Sequence, residues 1–245
     1  MVDKRSVADI MTSHLYPPPL DCLRKMNKLL SSILVLFVTS VTVPAALGQE
    51  IKGDAKAGEQ KIAMCIGCHG IKGYQATFPE VYKVPMIAGQ GAKYIASALN
   101  AYQKGERKHP TMRGIGQALS DQDMADLGAY YEASGKQGAM AVAPKAEPTG
   151  KVAELMTKGA CVSCHGVNFS APIDPTYPKL AGQHADYLFV ALKSYKADGH
   201  ALWGRNNAIM GGIAKQFSNA ELKQLANYLH SLPGELKTVP ESKFR

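Results

Sequence analysis

The sequence predicts an all-α protein made of two tandem copies of one small domain joined by a linker. Three observations lead there. A set of paired motifs recurs in the same order in both halves, each half carries helix caps and apolar positions at helical spacing, and no stretch of alternating β-branched residues marks a strand. With 46% hydrophobic and 20% charged residues, the 245-residue chain has enough apolar surface to bury a core, which excludes a collagen-like or wholly disordered protein. Its formal net charge of +8 is spread too evenly to make a nucleic-acid-binding stripe, so no nucleic-acid partner is expected.

The first element is a leader. From Met26 the chain reads Met-Asn-Lys, then runs from Leu29 to Val43 without a charge, then reaches Pro-Ala-Ala-Leu-Gly before Gln49. A basic start at Lys28, an apolar middle, and small residues at Ala46 and Gly48 form the pattern of a secretory signal peptide over 26–48, with cleavage expected after Gly48. Residues 1–25, with three prolines from Pro17 to Pro19, precede this second, more natural start and read as a start-site extension. The protein is therefore expected in the periplasm. An uncleaved leader would instead tie it to the membrane, since the apolar run approaches the roughly 20 residues that a spanning helix needs.

The repeat follows. Cys65-Ile-Gly-Cys68-His69-Gly70 recurs as Cys161-Val-Ser-Cys164-His165-Gly166, 96 residues on, and Pro85-Met-Ile-Ala-Gly-Gln90 recurs as Pro178-Lys-Leu-Ala-Gly-Gln183, 93 residues on. Tyr94 and Tyr102 match Tyr187 and Tyr195, Arg107 and Met112 match Arg205 and Met210, and Ser120, Leu127 and Tyr130 match Ser218, Leu225 and Tyr228. The domains are expected over 49–134 and 151–245, with the Ala-, Pro-, Gly- and Lys-rich stretch 135–150 as linker.

Each copy predicts the same helices. Asp54 caps a segment running through Lys61, and Val152, Leu155 and Met156 keep helical spacing ahead of the second Cys pair. A further helix follows each Ala-Gly-Gln turn; in the second copy Tyr187, Ala191 and Tyr195 fall on one face beside Leu188 and Leu192. Ser120-Asp-Gln-Asp123 and Ser218-Asn-Ala-Glu221 are capping-box sequences that open the last helix of each copy, and Ser134-Gly135 and Pro233-Gly234 close them.

Two thiols two residues apart with an imidazole next to them is the spacing for covalent c-type haem attachment. One helical turn lets both thiols reach the vinyl groups on one porphyrin edge, while the adjacent His turns over the ring to the iron. Two such motifs imply two covalently bound haem c groups, with Cys65, Cys68, Cys161 and Cys164 as attachment points and His69 and His165 as axial ligands. A four-cysteine zinc site leaves both histidines unexplained, a thioredoxin-like pair expects a βαβ setting, and plain disulfides explain neither the His nor the repeat. Met210 is the one methionine after the second motif, and Met112 holds the matching place in the first copy, so these two are the expected sixth ligands. His109, His184, His200 and His230 compete for that role but have no counterparts across the repeat. The carbonyls of Pro85 and Pro178 are candidate acceptors for the ligand histidines. Arg107 and Arg205 are candidate partners of the haem propionates, and Tyr130 and Tyr228 are expected to pack on the domain cores.

At these residues the chain resembles the cytochrome c4 family of di-haem class I cytochromes c, over essentially the whole length after the leader. The resemblance implies two tandem class I cytochrome c domains with haem edges facing across an interface, and electron delivery between respiratory complexes and terminal oxidases. It carries Cys65, Cys68, His69 and Met112 over as one haem set and Cys161, Cys164, His165 and Met210 as the other. Two departures stand out: the loop Lys196 to Gly204 is longer than its counterpart, and the first copy has three extra residues between His69 and Pro85. His/Met ligation raises the reduction potential relative to bis-His and fills both axial positions, so an electron carrier rather than an enzyme is expected. The alternatives are a cytochrome subunit of a flavin- or quinoprotein dehydrogenase, and a haem enzyme such as a peroxidase or thiosulfate dehydrogenase, which needs an open or unusual iron site. In every case the partners are redox proteins.

Domains of about 90 residues with few aromatics bury modest cores and need a staple. Haem-free protein is accordingly expected to be molten or unfolded, and its near-UV circular dichroism checks this: a native-like spectrum without haem would contradict it.

Overall fold

The computed structural model describes residues 51–135, 147–197 and 199–240. The extension expected at 1–25, the leader expected at 26–48 and most of the linker expected at 135–150 lie outside the described residues.

Asp54 caps α1 (Ala55–Glu59), its carboxylate accepting from the Lys56 and Ala57 amides at 2.8 and 3.5 Å. The helix does not continue through Lys61 as the sequence suggested. Tight bonds from the Gln60 and Lys61 amides to the Ala57 and Gly58 carbonyls end it, and α2 (Ala63–His69) starts afresh with the first Cys pair on it. The break turns Ile62 into the core, where it is 2% exposed, and lets Lys61 reach Asp123 and Asp126 at 2.6 Å each.

After the short strands β1 (Gln75–Ala76) and β2 (Tyr82–Lys83) come α3 (Ala92–Lys104), β3 (Arg107–Lys108), α4 (Pro110–Gln117) and α5 (Asp121–Gly135). The second half repeats this order with α6 (Gly150–Lys158), α7 (Val162–His165), α8 (Ala185–Ser194), β4 (Gly204–Arg205), α9 (Ala208–Ala214) and α10 (Asn219–Ser231). Both Ser caps close as expected: Ser120 and Asp123 exchange bonds at 3.2 and 3.0 Å, and Ser218 and Glu221 at 3.2 and 2.8 Å.

In each half the last helix is crossed by the first and the middle one, α5 by α1 and α3, and α10 by α6 and α8. The crossings bury Ile95, Leu99, Met124 and Leu127 in one core, and Leu155, Leu188, Leu222 and Leu225 in the other. Tyr130 and Tyr228 pack against these cores. Each last helix ends against the Ala-Gly-Gln turn of its own half so closely that only glycine fits. A Cβ on Gly135 would lie 2.0 Å from the Gly89 Cα, and one on Gly234 would lie 2.0 Å from the Ala181 carbonyl oxygen. Gly89 and Gly182 themselves hold φ of 88° and 76°.

The fold is mainly helical, as predicted, with two additions. The extra residues between His69 and Pro85 form a hairpin, β1 against β2, whose Tyr82 ring lies 6.2 Å from that of Tyr187 in the other half. The second ribbon joins the halves: β3 pairs antiparallel with β4, setting Arg107 opposite Arg205 and Lys108 opposite Gly204. Two-residue strands carry no period, so the sequence could not announce them. An antiparallel pair in which equivalent residues face each other has a local two-fold axis, and the repeat is arranged about it.

Other contacts also cross between the halves. Lys193 binds Glu80 at 2.7 Å, and the Lys83 amide donates to Asp186 at 3.0 Å. The longer loop 196–204 reaches across as well, its His200 carbonyl accepting from Lys108 Nζ at 2.7 Å. Beyond α10 the chain crosses to the first half, where the Lys237 amide donates to the Ala88 carbonyl at 3.0 Å and Val239 packs on that core.

Gly135→Ala forces a methyl into the Gly89 backbone, an overpacking worth about 2 kcal/mol. The unfolding midpoint of the haem-loaded protein should fall by roughly 4–8 °C; thermal melts followed by far-UV circular dichroism check it.

Candidate functional site

The two CxxCH motifs sit at equivalent places. Cys65, Cys68 and His69 lie along α2, and Cys161 precedes α7, which holds Cys164 and His165. All four thiols are free and partly exposed. Burial pushes the Cys65 and Cys161 thiols up, the opposite direction from the lowered thiols of redox-active pairs. Among the described residues no group of three or more His, Cys, Asp or Glu side chains could hold a metal ion by itself.

Both imidazoles are tethered from behind. His69 Nδ1 stands 2.8 Å from the Pro85 carbonyl oxygen, and His165 Nδ1 stands 3.2 Å from that of Pro178. Each Nδ1–H thus has an acceptor, which leaves Nε2 as the lone-pair nitrogen. Burial holds both histidines below their ordinary range although the carbonyls pull the other way, so both are neutral at pH 7.

Met112 and Met210 occupy the same position on α4 and α9, the third residue of each helix. Their amides donate to the cap residue, His109 Nδ1 at 3.4 Å and Asn207 Oδ1 at 2.9 Å. His109 is therefore the counterpart of Asn207, a relation the sequence reading missed; Pro110 at the first helical position was the available signal. Of the other candidate histidines, His184 precedes α8, His200 is exposed, and His230 Nδ1 lies 2.9 Å from the Gln183 carbonyl. None of those three lines the cavity described next.

That cavity, about 770 Å³, is continuous between the halves. All eight residues singled out in the sequence line it, together with apolar side chains such as Ile95, Leu127, Leu188 and Leu225. Arg107 and Arg205 line it too. The Arg107 guanidinium donates to the Tyr94 hydroxyl at 3.2 Å and lies over the Tyr102 ring; Arg205 donates to Tyr187 at 3.1 Å and to Tyr195 at 3.5 Å. Among the described residues neither arginine pairs with a carboxylate. Despite its burial, the two cations hold the Tyr195 phenol below its ordinary value. Two facing guanidiniums without an acidic partner call for anions. The four tyrosines were legible as repeat members, but their partner was not.

The residues therefore fit haem. Paired thiols and a tethered neutral imidazole flank an apolar space, a thioether opens onto it, and arginines wait where carboxylates could pair with them.

Comparison with known proteins agrees. The cytochrome c family model matches residues 55–133 and 150–233. Cytochrome c4 of Pseudomonas aeruginosa is 33% identical over 213 residues, covering 84% of this chain and all of the relative. A thiosulfate dehydrogenase electron acceptor from Stutzerimonas stutzeri is 31% identical over 199 residues, 78% of this chain and 89% of the relative. The crystal structure of reduced cytochrome c4 from Pseudomonas stutzeri superposes with a TM-score of 0.55 at 29% identity, covering 74% of this chain and all of that one. The duplicated fold, the twin motifs and these matches together show that the chain belongs to the cytochrome c4 family of c-type cytochromes, electron-transfer proteins with covalently bound haem c.

Proposed function

We propose that the protein is a periplasmic di-haem electron carrier, exported through the leader at 26–48, that passes electrons between respiratory complexes and terminal acceptors and performs no substrate chemistry of its own. The observation that carries this reading is the single cavity lined by two equivalent sets of Cys, Cys, His and Met. Haem, when bound, supplies an iron that exchanges one electron at a time. Cys65 and Cys68 would hold one group by thioether bonds, and Cys161 and Cys164 the other. His69 and His165 present Nε2 because Pro85 and Pro178 occupy Nδ1. Met112 and Met210, on capped helices, would each offer a thioether to an iron, a donor that favours the reduced state relative to a second imidazole and would leave no site for substrate. Arg107 and Arg205, which line the cavity, would pair with the haem carboxylates, and its apolar walls would limit access of water. The net positive charge favours encounter with acidic partner surfaces in a salt-dependent way.

A second reading has its own support: a relative named as a thiosulfate dehydrogenase electron acceptor covers 78% of this chain. In that reading the same two haems receive electrons from a dehydrogenase partner. Isolation in a stable stoichiometric complex with a dehydrogenase would favour it over the diffusible carrier.

A spectroscopically monitored redox titration of the exported protein tests the site. Two haems per chain are expected by mass. Met112→His and Met210→His should each abolish the methionine-to-ferric-haem charge-transfer band of one centre and lower its potential, by on the order of a tenth of a volt or more. Unchanged spectra in both variants would remove the axial assignments.

A further inference from the structure

Gln90 and Gln183, the last residues of the repeated Ala-Gly-Gln turns, are among the few buried polar side chains of the described residues, each 4% exposed. Neither points back into its own half. Gln183 in the second half grips Met86 in the first, with Oε1 accepting from the Met86 amide at 3.0 Å and Nε2 donating to the Met86 carbonyl at 2.9 Å. Gln90 in the first half does the same to Lys179 in the second, at 2.9 and 3.0 Å. Each oxygen also accepts the amide of the next residue in its own chain segment, Gly91 at 2.9 Å and His184 at 3.0 Å, so it is anchored beside the start of α3 or α8.

The gripped peptide is the one that tethers the ligand histidine. The Pro85–Met86 peptide unit presents its carbonyl to His69 and its N–H to Gln183. The Pro178–Lys179 unit presents its carbonyl to His165 and its N–H to Gln90. A peptide that donates through N–H is polarised, and its carbonyl becomes a stronger acceptor. A stronger acceptor on Nδ1 gives the imidazole more anionic character and stabilises the oxidised metal.

We propose that Gln183 and Gln90 are positioning residues acting across the midline: Gln183 of the second half sets the acceptor behind His69 and so lowers the potential of the first haem, and Gln90 of the first half does so for the second. The inference rests on the di-haem reading above. It makes each half a determinant of the other's potential, so separating the halves would change both.

The test is a redox titration of haem-loaded Gln183→Met and Gln90→Met, which keep side-chain length and remove the amide, beside the wild type. Met112→His and Met210→His assign the two waves. Gln183→Met should raise the ratio of reduced to oxidised first haem at a fixed poise by about two- to fivefold, a smaller effect than the roughly 10- to 100-fold in metal affinity or activity lost on deleting an outer-sphere partner itself, and leave the second haem in place. Gln90→Met should do the reverse. Gln183→Glu keeps an oxygen acceptor for the Met86 amide, ionised or not, so its first wave should stay or fall. Three results overturn the proposal: no shift in either Met variant, equal shifts of both haems in each variant as a merely loosened interface would give, or a rise in Gln183→Glu. If the wild type carries no haem, or if neither His variant displaces a wave, the carrier reading has failed and takes this inference with it. If the His variants displace one wave each and the Met variants do nothing, this inference alone falls.

Discussion

Two cations facing each other, with no acidic partner among the described residues, are the constraint on which the rest of the structure depends. Arg107 and Arg205 are cross-strand neighbours on the ribbon that joins the halves, supported by tyrosine hydroxyls and rings. Like charges placed so close repel, and burial strengthens the repulsion. Compensating anions in the cavity would relieve that repulsion, and on the di-haem reading the haem propionates would supply them. On that reading the prosthetic group belongs to the interface as well as to each domain core.

The same logic explains the cores. The walls of the cavity include residues that also form the hydrophobic clusters, such as Leu127 in one half and Leu225 in the other. An apolar space at the centre of a helix bundle is stabilised by the packing contacts of the group that occupies it. On the di-haem reading, haem would provide that surface and its thioether bonds would keep it there. Short helices such as α7, four residues long, are positioned by this packing and not by intrinsic propensity.

Duplication gives more than two copies of one site. About the local two-fold axis, equivalent residues meet or exchange partners: Arg107 meets Arg205, Gln90 grips the segment after Pro178, and Gln183 grips the segment after Pro85. The symmetry is broken where the copies differ. The extra residues of the first half become a hairpin on α8, the longer loop of the second half reaches Lys108, and the tail past α10 closes over the first core. Each insertion adds to the joint between halves.

The local features of the sequence were enough for most helices, the caps, the repeat and the choice of eight residues that the structure gathers around one cavity, because these depend on spacing within one turn or on equivalence between copies. The serine caps are an example: the Ser and the acid three residues on meet whenever a helix starts there. The helix break at Gln60 was not legible, because it answers to Ile62 packing and to Lys61 reaching Asp123 and Asp126, more than 60 residues away. The glutamines were visible as repeat members, yet nothing in the chain order says that Gln183 binds Met86 or that Arg107 faces Arg205. Those pairings join residues about 90 or more positions apart. Amino-acid order determined the two sets of Cys, Cys, His and Met, and only the docking of one half on the other decided that they share a cavity, because a surface between domains is specified by shape and charge in space.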